Sequence, residues 1–152
     1  MVHADFMTIG NQHIFVLKYK ASGFIWARLT KDMTMESATN TFHKYVTSYD
    51  RPRLVVTDGG PCFQSQFLEY LNSHYMQHHY SSAYRAQSNS PAERGVRSLK
   101  DVLLKMASFT DKTLRTVIFN INNHVAPDGY GSLTMRFFKR RIRTGLPTAI
   151  EK

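Results

Sequence analysis

The order of the apolar segments constrains the fold of this chain more than any other feature, because three strand-like segments precede the first helical one. These segments cover residues 2–8, 14–19 and 24–29; they are rich in aromatic and β-branched residues and are separated by turn residues such as Gly10 and Gly23. This pattern predicts an antiparallel meander of three strands.

Helical and strand-like segments alternate after the meander. Apolar residues recur at helical spacing over residues 35–49, 65–75, 91–108 and 112–123, and strand-like segments cover 54–56 and 77–83. Three strands followed by alternation predict an α/β fold whose five-stranded mixed sheet has three antiparallel strands, then two parallel ones, and is flanked by helices. This order is the ribonuclease H-like arrangement, in which the first strand is central and the fourth lies beside it.

Composition narrows the class of protein. The chain has 152 residues, a net charge of +9 and a pI of about 9.9, which favour one domain and a polyanionic partner, nucleic acid before membrane. The single cysteine, Cys62, excludes a disulfide within a monomer and is expected to be a small, buried or half-buried thiol. Without a membrane-length apolar run or a signal peptide, we expect a location in the nucleus or cytoplasm, no secretion and no membrane partner.

Three carboxylates stand at informative places: Asp5 within the first strand, Asp58 after the fourth, and Glu93 at the start of the basic helix. Because the first and fourth strands are predicted neighbours, Asp5 and Asp58 should lie side by side. Carboxylates from separate elements can converge to hold two divalent metal ions for phosphoryl transfer. Gly59 and Gly60 are expected to leave backbone room for a substrate.

Each carboxylate also has a plainer interpretation. Asp58 alone could be an ordinary turn aspartate. Glu93 ends the sequence Ser90-Pro91-Ala92-Glu93, which fits a capping box in which the glutamate accepts a hydrogen bond from the Ser90 amide. A carboxylate in that rotamer cannot reach a metal, although a single hydrogen bond of about 1 kcal/mol could yield to metal binding.

Several motifs together resemble the catalytic core of a retroviral-type integrase, and most closely its Ty3/gypsy retrotransposon branch. The resemblance covers about residues 2–148. Its most specific segments are Val56-Thr57-Asp58-Gly59-Gly60-Pro61-Cys62-Phe63 and Ser82-Ala83-Tyr84-Arg85-Ala86-Gln87-Ser88-Asn89-Ser90-Pro91-Ala92-Glu93-Arg94. The separations, 53 positions from Asp5 to Asp58 and 35 from Asp58 to Glu93, are similar to the family's D, D, E spacing.

The resemblance implies a catalytic and metal site at Asp5, Asp58 and Glu93 that holds Mg²⁺ or Mn²⁺, two ions when DNA is bound, with no small-molecule cofactor. It implies removal of terminal nucleotides from the 3′ ends of element DNA, then transfer of the 3′ hydroxyl into target DNA. It also implies a dimer or higher homo-oligomer. The residues expected to contact DNA are Tyr84, Gln87, Asn89, Arg94, Arg97 and Lys100.

Geometry also favours part of that DNA surface. Glu93, Arg97 and Lys100 stand at i, i+4 and i+7 and therefore share one helix face. Two cations beside a metal site suit phosphate contacts, but the same spacing fits an ordinary Glu–Arg pair on a solvated helix.

The chain departs from the family pattern at several positions. Ser90 and Lys139 stand where the family usually has glycine, and no zinc-binding segment of histidines and cysteines precedes Asp5. These departures favour a decayed or domesticated copy that binds DNA or another protein without turnover, or a fragment of a longer polyprotein. A nuclease of the same fold is a further alternative.

We expect residues 1–126 to form the core, and residues 127–152 a basic segment rather than a separate domain. The basic run at residues 139–143 could touch DNA, direct nuclear import or simply be solvated.

Overall fold

The computed structural model describes residues 1–81, 91–124 and 131–140, with the backbone alone at 91–93. Its centre is a five-stranded sheet with the strand order β3-β2-β1-β4-β5. The strands are β1 (Val2–Ile9), β2 (Gln12–Tyr19), β3 (Ile25–Thr30), β4 (Leu54–Thr57) and β5 (Gln77–Tyr80). The pairs β1–β2 and β2–β3 are antiparallel, whereas β1–β4 and β4–β5 are parallel. The predicted mixed sheet is confirmed.

The described residues form five helices beside the sheet. They are α1 (Met35–Ser48), α2 (Ser65–Ser73), α3 (Pro91–Leu104), α4 (Asp111–Asn123) and α5 (Leu133–Phe138), and a 3-10 turn at Pro61–Phe63 precedes α2. The first four helices were predicted, with ends that differ by up to four residues. The sequence did not predict α5, because six residues are too few to establish a helical period.

The helices cover both faces of the sheet. Successive side chains of β1 point to opposite faces, so β1 contributes residues to the hydrophobic core on each side. Val2 and Ala4 belong to a cluster built with apolar residues of α1 and α2. Ile9 belongs to a second cluster, which contains Leu99 and Leu103 of α3 together with residues of α4. Odd-numbered β1 residues therefore face the layer that contains α3.

Helix ends are set by local chemistry. Thr34 caps α1, because its hydroxyl accepts a hydrogen bond from the Ser37 amide at 3.2 Å. The helical segment predicted over residues 65–75 ends earlier than expected: α2 ends at Ser73, and Tyr75 has a φ of 59° and is 89% exposed. A left-handed residue turns the chain away from the helix axis, and its side chain therefore leaves the buried face of α2.

A buried asparagine connects the edge of the sheet to the last two helices. The side chain of Asn122 accepts a hydrogen bond from the Ile25 amide at 3.0 Å and donates one to the Ile25 carbonyl at 2.7 Å. The Thr134 hydroxyl donates to the Asn122 carbonyl at 2.9 Å, and the ring of Phe137 stacks on Phe24 with centroids 4.2 Å apart. The described part of the basic segment thus packs on the core, while the boundary at residue 126 stays a prediction.

Cys62 is a free, half-buried thiol, as expected from the sequence. Among the helices that the structure describes, none combines the length and the apolar character needed to span a bilayer.

Candidate metal centre

Parallel pairing of β1 with β4 brings two of the predicted carboxylates to neighbouring places. Val2 pairs with Val55 and His3 with Val56, an offset of 53 positions. Continuing that register by two residues sets Asp58 opposite Asp5. The sheet thus makes the two aspartates neighbours, as expected from the sequence, while their role as metal ligands stays a prediction.

The electrostatics of Asp5 reflect this neighbourhood. Asp5 is an exposed residue, and its Oδ1 accepts a hydrogen bond from the Phe6 amide at 2.8 Å. Partial desolvation of the carboxylate raises the pKa of Asp5 above its ordinary value of 3.8, and the negative charge of Asp58 adds to the rise. The charge of Lys18 and the hydrogen bond from the Phe6 amide lower the pKa of Asp5, but together they lower it by less than the other two causes raise it. A divalent cation between the two carboxylates would relieve this repulsion.

The turn after β4 has a conformation that requires glycine. Gly59 has a φ of +75°, and a Cβ added there would lie 2.8 Å from Cδ1 of Tyr80. The Gly60 amide donates a hydrogen bond to Oδ1 of Asp58 at 2.9 Å, and a Cβ at Gly60 would lie 3.1 Å from that same oxygen. A side chain at either position would thus meet the Tyr80 ring or the Asp58 carboxylate, while the expectation that these glycines leave room for a substrate stays a prediction.

A histidine of β5 supports the same turn, a role that the sequence did not indicate. Thr57 Oγ1 lies 2.7 Å from Nε2 of His78, and the Gly59 amide donates to Thr57 Oγ1 at 3.3 Å. Partial burial, and next the neighbouring His79, lower the pKa of His78 and favour the neutral ring. Only the parallel register of β4 and β5 could have shown that His78 lies beside Thr57.

Glu93 belongs to the first turn of α3, a helix that packs on the sheet face shared by the odd-numbered residues of β1. Its side chain lies outside the described residues, and so do those of the capping-box partners. The choice between metal ligand and helix cap therefore stays open. Within residues 1–81, 94–124 and 131–140, no group of three histidine, cysteine, aspartate or glutamate side chains could hold a metal ion. That region contains only two of the three predicted ligands.

The predicted DNA contacts are partly described. Arg94, Arg97 and Lys100 are exposed on α3, whereas Leu99 on the same helix is fully buried. The basic side chains thus occupy the solvent side of α3. Tyr84, Gln87 and Asn89 lie outside the described residues, and all six DNA contacts stay predictions.

In the part of the centre that the structure describes, Asp5 and Asp58 are both exposed. A cleft of about 280 Å³ exists elsewhere, between β3, α4 and α5, and its lining includes Trp26, Arg115 and Phe138 but neither Asp5 nor Asp58. Small-molecule sites are typically concave and apolar. An exposed pair of carboxylates is better suited to a long polymer that lies across the surface.

Comparisons with known proteins agree with this fold. No protein-family model matches the chain. The chain is 28% identical over 98 residues to the Pro-Pol polyprotein of feline foamy virus, an alignment that covers 64% of this chain and 8% of the polyprotein. In structure, it is similar to the catalytic core domain of BIV integrase, with a TM-score of 0.79, 18% identity, and coverage of 91% of this chain and 93% of that one.

These likenesses confirm the ribonuclease H-like fold and the resemblance to retroviral-type integrase cores. The chain spans only about 8% of the length of the polyprotein that it matches. The Ty3/gypsy branch stays a prediction.

Proposed function

We propose that this protein is a metal-dependent integrase core that cuts and joins DNA strands. It would remove terminal nucleotides from the 3′ ends of element DNA and transfer the resulting 3′ hydroxyl into target DNA. The observation that carries this proposal is the neighbourhood of Asp5, on β1, and Asp58, which directly follows the parallel strand β4: the register of the two strands, continued by two residues, aligns them, and the charge of Asp58 acts on Asp5.

The residues of the site fit a divalent cation. Asp5 and Asp58 supply hard oxygen ligands. Desolvation raises the pKa of Asp5, and the negative charge of Asp58 adds a smaller part of the rise, so a cation has an electrostatic reason to bind. Glu93 would be the third ligand. Mg²⁺ or Mn²⁺ held by these residues, two ions with DNA present, would supply charge stabilisation for the phosphoryl group and would help to activate the attacking hydroxyl.

The protein's own side chains would position the DNA. Arg97 and Lys100 would hold backbone phosphates on the exposed side of α3, and Arg94 would contribute a third cation there. Phosphate contacts of this kind fix the register of the DNA without reading its sequence. Tyr84, Gln87 and Asn89 would hold the DNA end beside the carboxylates.

Metal binding tests whether the site is intact. Titration of the folded protein with Mn²⁺ in a calorimeter should give heat that disappears in Asp58→Asn. Asp50→Asn removes the same charge from an exposed residue beyond α1 and should leave the heat unchanged. Absence of metal heat from folded wild-type protein would contradict the proposal and favour a DNA-binding or interaction module without turnover.

A joining assay separates the proposed reaction from hydrolysis alone. With labelled element ends and a target duplex, the wild-type protein should yield products covalently joined to the target. Glu93→Gln should abolish joining and leave DNA affinity nearly unchanged. Products that are cut but never joined would indicate a nuclease of the same fold, and joining by Glu93→Gln would remove Glu93 from the site.

The resemblance also supports a dimer or higher homo-oligomer, and we keep as a proposal the location in the nucleus or cytoplasm that the sequence suggests. Sedimentation at several protein concentrations tests the first of these, and a purely monomeric species at all concentrations, with and without DNA, would contradict it. Microscopy of a tagged chain tests the second.

A further inference from the structure

We propose that Thr57 and His78 are positioning residues for Asp58, through a hydrogen-bond relay that fixes the turn after β4. This inference rests on the proposed function, since it assigns a role in holding one of the candidate metal ligands. The relay runs from the Gly59 amide to the Thr57 hydroxyl, and from that hydroxyl to the His78 imidazole.

The donors and acceptors of the relay follow from chemistry. Thr57 is 1% exposed, so its hydroxyl must find partners within the protein. Its oxygen accepts from the Gly59 amide at 3.3 Å, and its hydrogen can donate to Nε2 of His78, 2.7 Å away, when that nitrogen carries no hydrogen. A neutral His78 ring with its hydrogen on Nδ1 completes the chain.

The pairing of the strands explains why Asp58 needs this support. The β1–β4 ladder ends at His3 and Val56, two residues before the aspartates. The β4–β5 ladder continues one residue further, pairing Thr57 with Tyr80. The support for the turn therefore comes from β5 rather than from the strand that carries Asp5.

An aromatic contact from β5 complements the relay. The Tyr80 ring packs against Gly59, where an added Cβ would lie 2.8 Å away, and meets the His78 ring edge-on with centroids 4.8 Å apart. The turn is thus held by a polar contact through Thr57 and an apolar one through Tyr80. Since Asp58 lies between Thr57 and Gly59, fixing both neighbours limits the directions in which its carboxylate can point.

Four variants test the relay by Mn²⁺ calorimetry. Thr57→Val removes the hydroxyl at nearly constant volume, and Thr57→Ser retains it. His78→Phe removes the ring nitrogens, and His79→Phe is the matched control, because His79 is an exposed neighbour on the same strand. Thr57→Val and His78→Phe should weaken Mn²⁺ binding about tenfold, the effect of one lost hydrogen bond, whereas Thr57→Ser and His79→Phe should bind as the wild type does.

Two further measurements separate positioning from a general loss of stability. The double variant Thr57→Val/His78→Phe should bind no more weakly than either single variant, because both break the same chain of hydrogen bonds. In the joining assay, Thr57→Val should lower kcat and leave KM for DNA unchanged. Circular dichroism must show that each variant is folded, and His78→Phe, on an edge strand, is the milder of the two changes.

The outcomes distinguish the relay from the proposed function. If wild-type protein shows Mn²⁺ heat that depends on Asp58 while Thr57→Val binds equally well, the function stands and the relay is overturned. The relay is also overturned if Thr57→Ser binds as weakly as Thr57→Val, or if His79→Phe matches His78→Phe. If wild-type protein shows no Mn²⁺ heat, the proposed function fails, and the positioning role fails with it. Faster exchange of the Gly59 amide in Thr57→Val would then show only that the relay holds the turn, and would not rescue the positioning role.

Discussion

Asp58 stands opposite Asp5 when the parallel register of β1 and β4 is continued beyond the last ladder pair, His3 with Val56. The two residues thus lie just beyond the point where the strands cease to be hydrogen-bonded to one another. Desolvation raises the pKa of Asp5, and the nearby negative charge of Asp58 adds a smaller part, so the ionised pair opposes folding. Sites that bind cations commonly retain carboxylates that destabilise the metal-free protein, because binding requires them.

Asp5→Asn should stabilise the metal-free protein at neutral pH. Because the pKa of Asp5 is raised in the folded state, deprotonation of Asp5 opposes folding. This penalty is present at neutral pH, fades as the pH falls through the raised pKa, and is absent below 3.8, where both states are protonated. We expect a rise in Tm of about 2 °C at pH 7 and none at pH 3, by thermal unfolding.

Asp101→Asn is the control for this change, since it removes the same charge from an exposed position on α3. Its effect on Tm should stay within about 1 °C at either pH. A lower Tm of Asp5→Asn at pH 7, or a gain of equal size at pH 3, would contradict the electrostatic interpretation.

Arg97→Ala and Lys100→Ala should each weaken DNA binding to a similar degree for all sequences, because phosphate contacts position DNA without reading it. Each lost contact should reduce the slope of log affinity against log salt by about 1. The measurement is fluorescence anisotropy with labelled duplexes over a range of salt concentrations. Lys44→Ala is the control, because Lys44 is exposed on α1, and α1 packs on the opposite face of the sheet. An equal loss of slope in Lys44→Ala would indicate that the bound surface is not α3.

Gly59→Ala should destabilise the protein more than Gly10→Ala does. Both glycines have a positive φ, +75° and +58°, so alanine at either costs about 1 kcal/mol in backbone strain. Only at Gly59 would the new methyl meet a neighbour, the Tyr80 ring at 2.8 Å, whereas no atom lies within 4 Å at Gly10. We expect a total cost of about 2–3 kcal/mol at Gly59, measured by urea unfolding.

The Tyr80 contact can be separated from the backbone strain. In a Tyr80→Ala background, Gly59→Ala should cost only about 1 kcal/mol, the same as Gly10→Ala. A cost that stays unchanged in this background would show that the ring contributes nothing to the turn.

Lys139→Gly should raise the stability of the protein. Lys139 caps α5 with a φ of 58° and a ψ of 24°, a left-handed conformation that suits glycine. Glycine relieves backbone strain in the folded state but gives the unfolded chain more conformational entropy. We expect the first effect to be larger, so that the free energy of unfolding rises by about 0.5–1 kcal/mol and Tm by roughly 1–3 °C. Arg140→Gly, at the next exposed position, should bring no gain. A loss of stability in Lys139→Gly would show that the lysine side chain contributes more than its backbone costs.

The left-handed conformation at Lys139 also explains a departure seen in the sequence. Glycine is usual at this place in the family that the chain resembles, and the structure shows the backbone geometry that glycine would relieve. The sequence alone could mark the position as unusual but could not show that it ends a helix. The short helix α5 depends on contacts such as Phe137 with Phe24, which are distant in sequence.

Periodic segments were predictable because burial repeats with the period of the local structure. The stripe of Leu99 and Leu103 in α3 and the apolar run of β4 follow directly from spacing. Segment ends were less predictable: β5 was expected to reach residue 83 and is described as far as Tyr80. Ends depend on individual hydrogen bonds and backbone angles rather than on repetition.

The amino-acid sequence by itself determined the order of strands and helices along the chain, because alternating and helical burial patterns are local properties. That order places Asp5 on the first strand and Asp58 directly after the fourth. Only the tertiary structure decided that β5 supports the Asp58 turn through His78 and that Asn122 joins α4 to the edge strand. Those contacts join residues 21 and 97 positions apart. Their partners are set by strand register and helix packing, which no local pattern encodes.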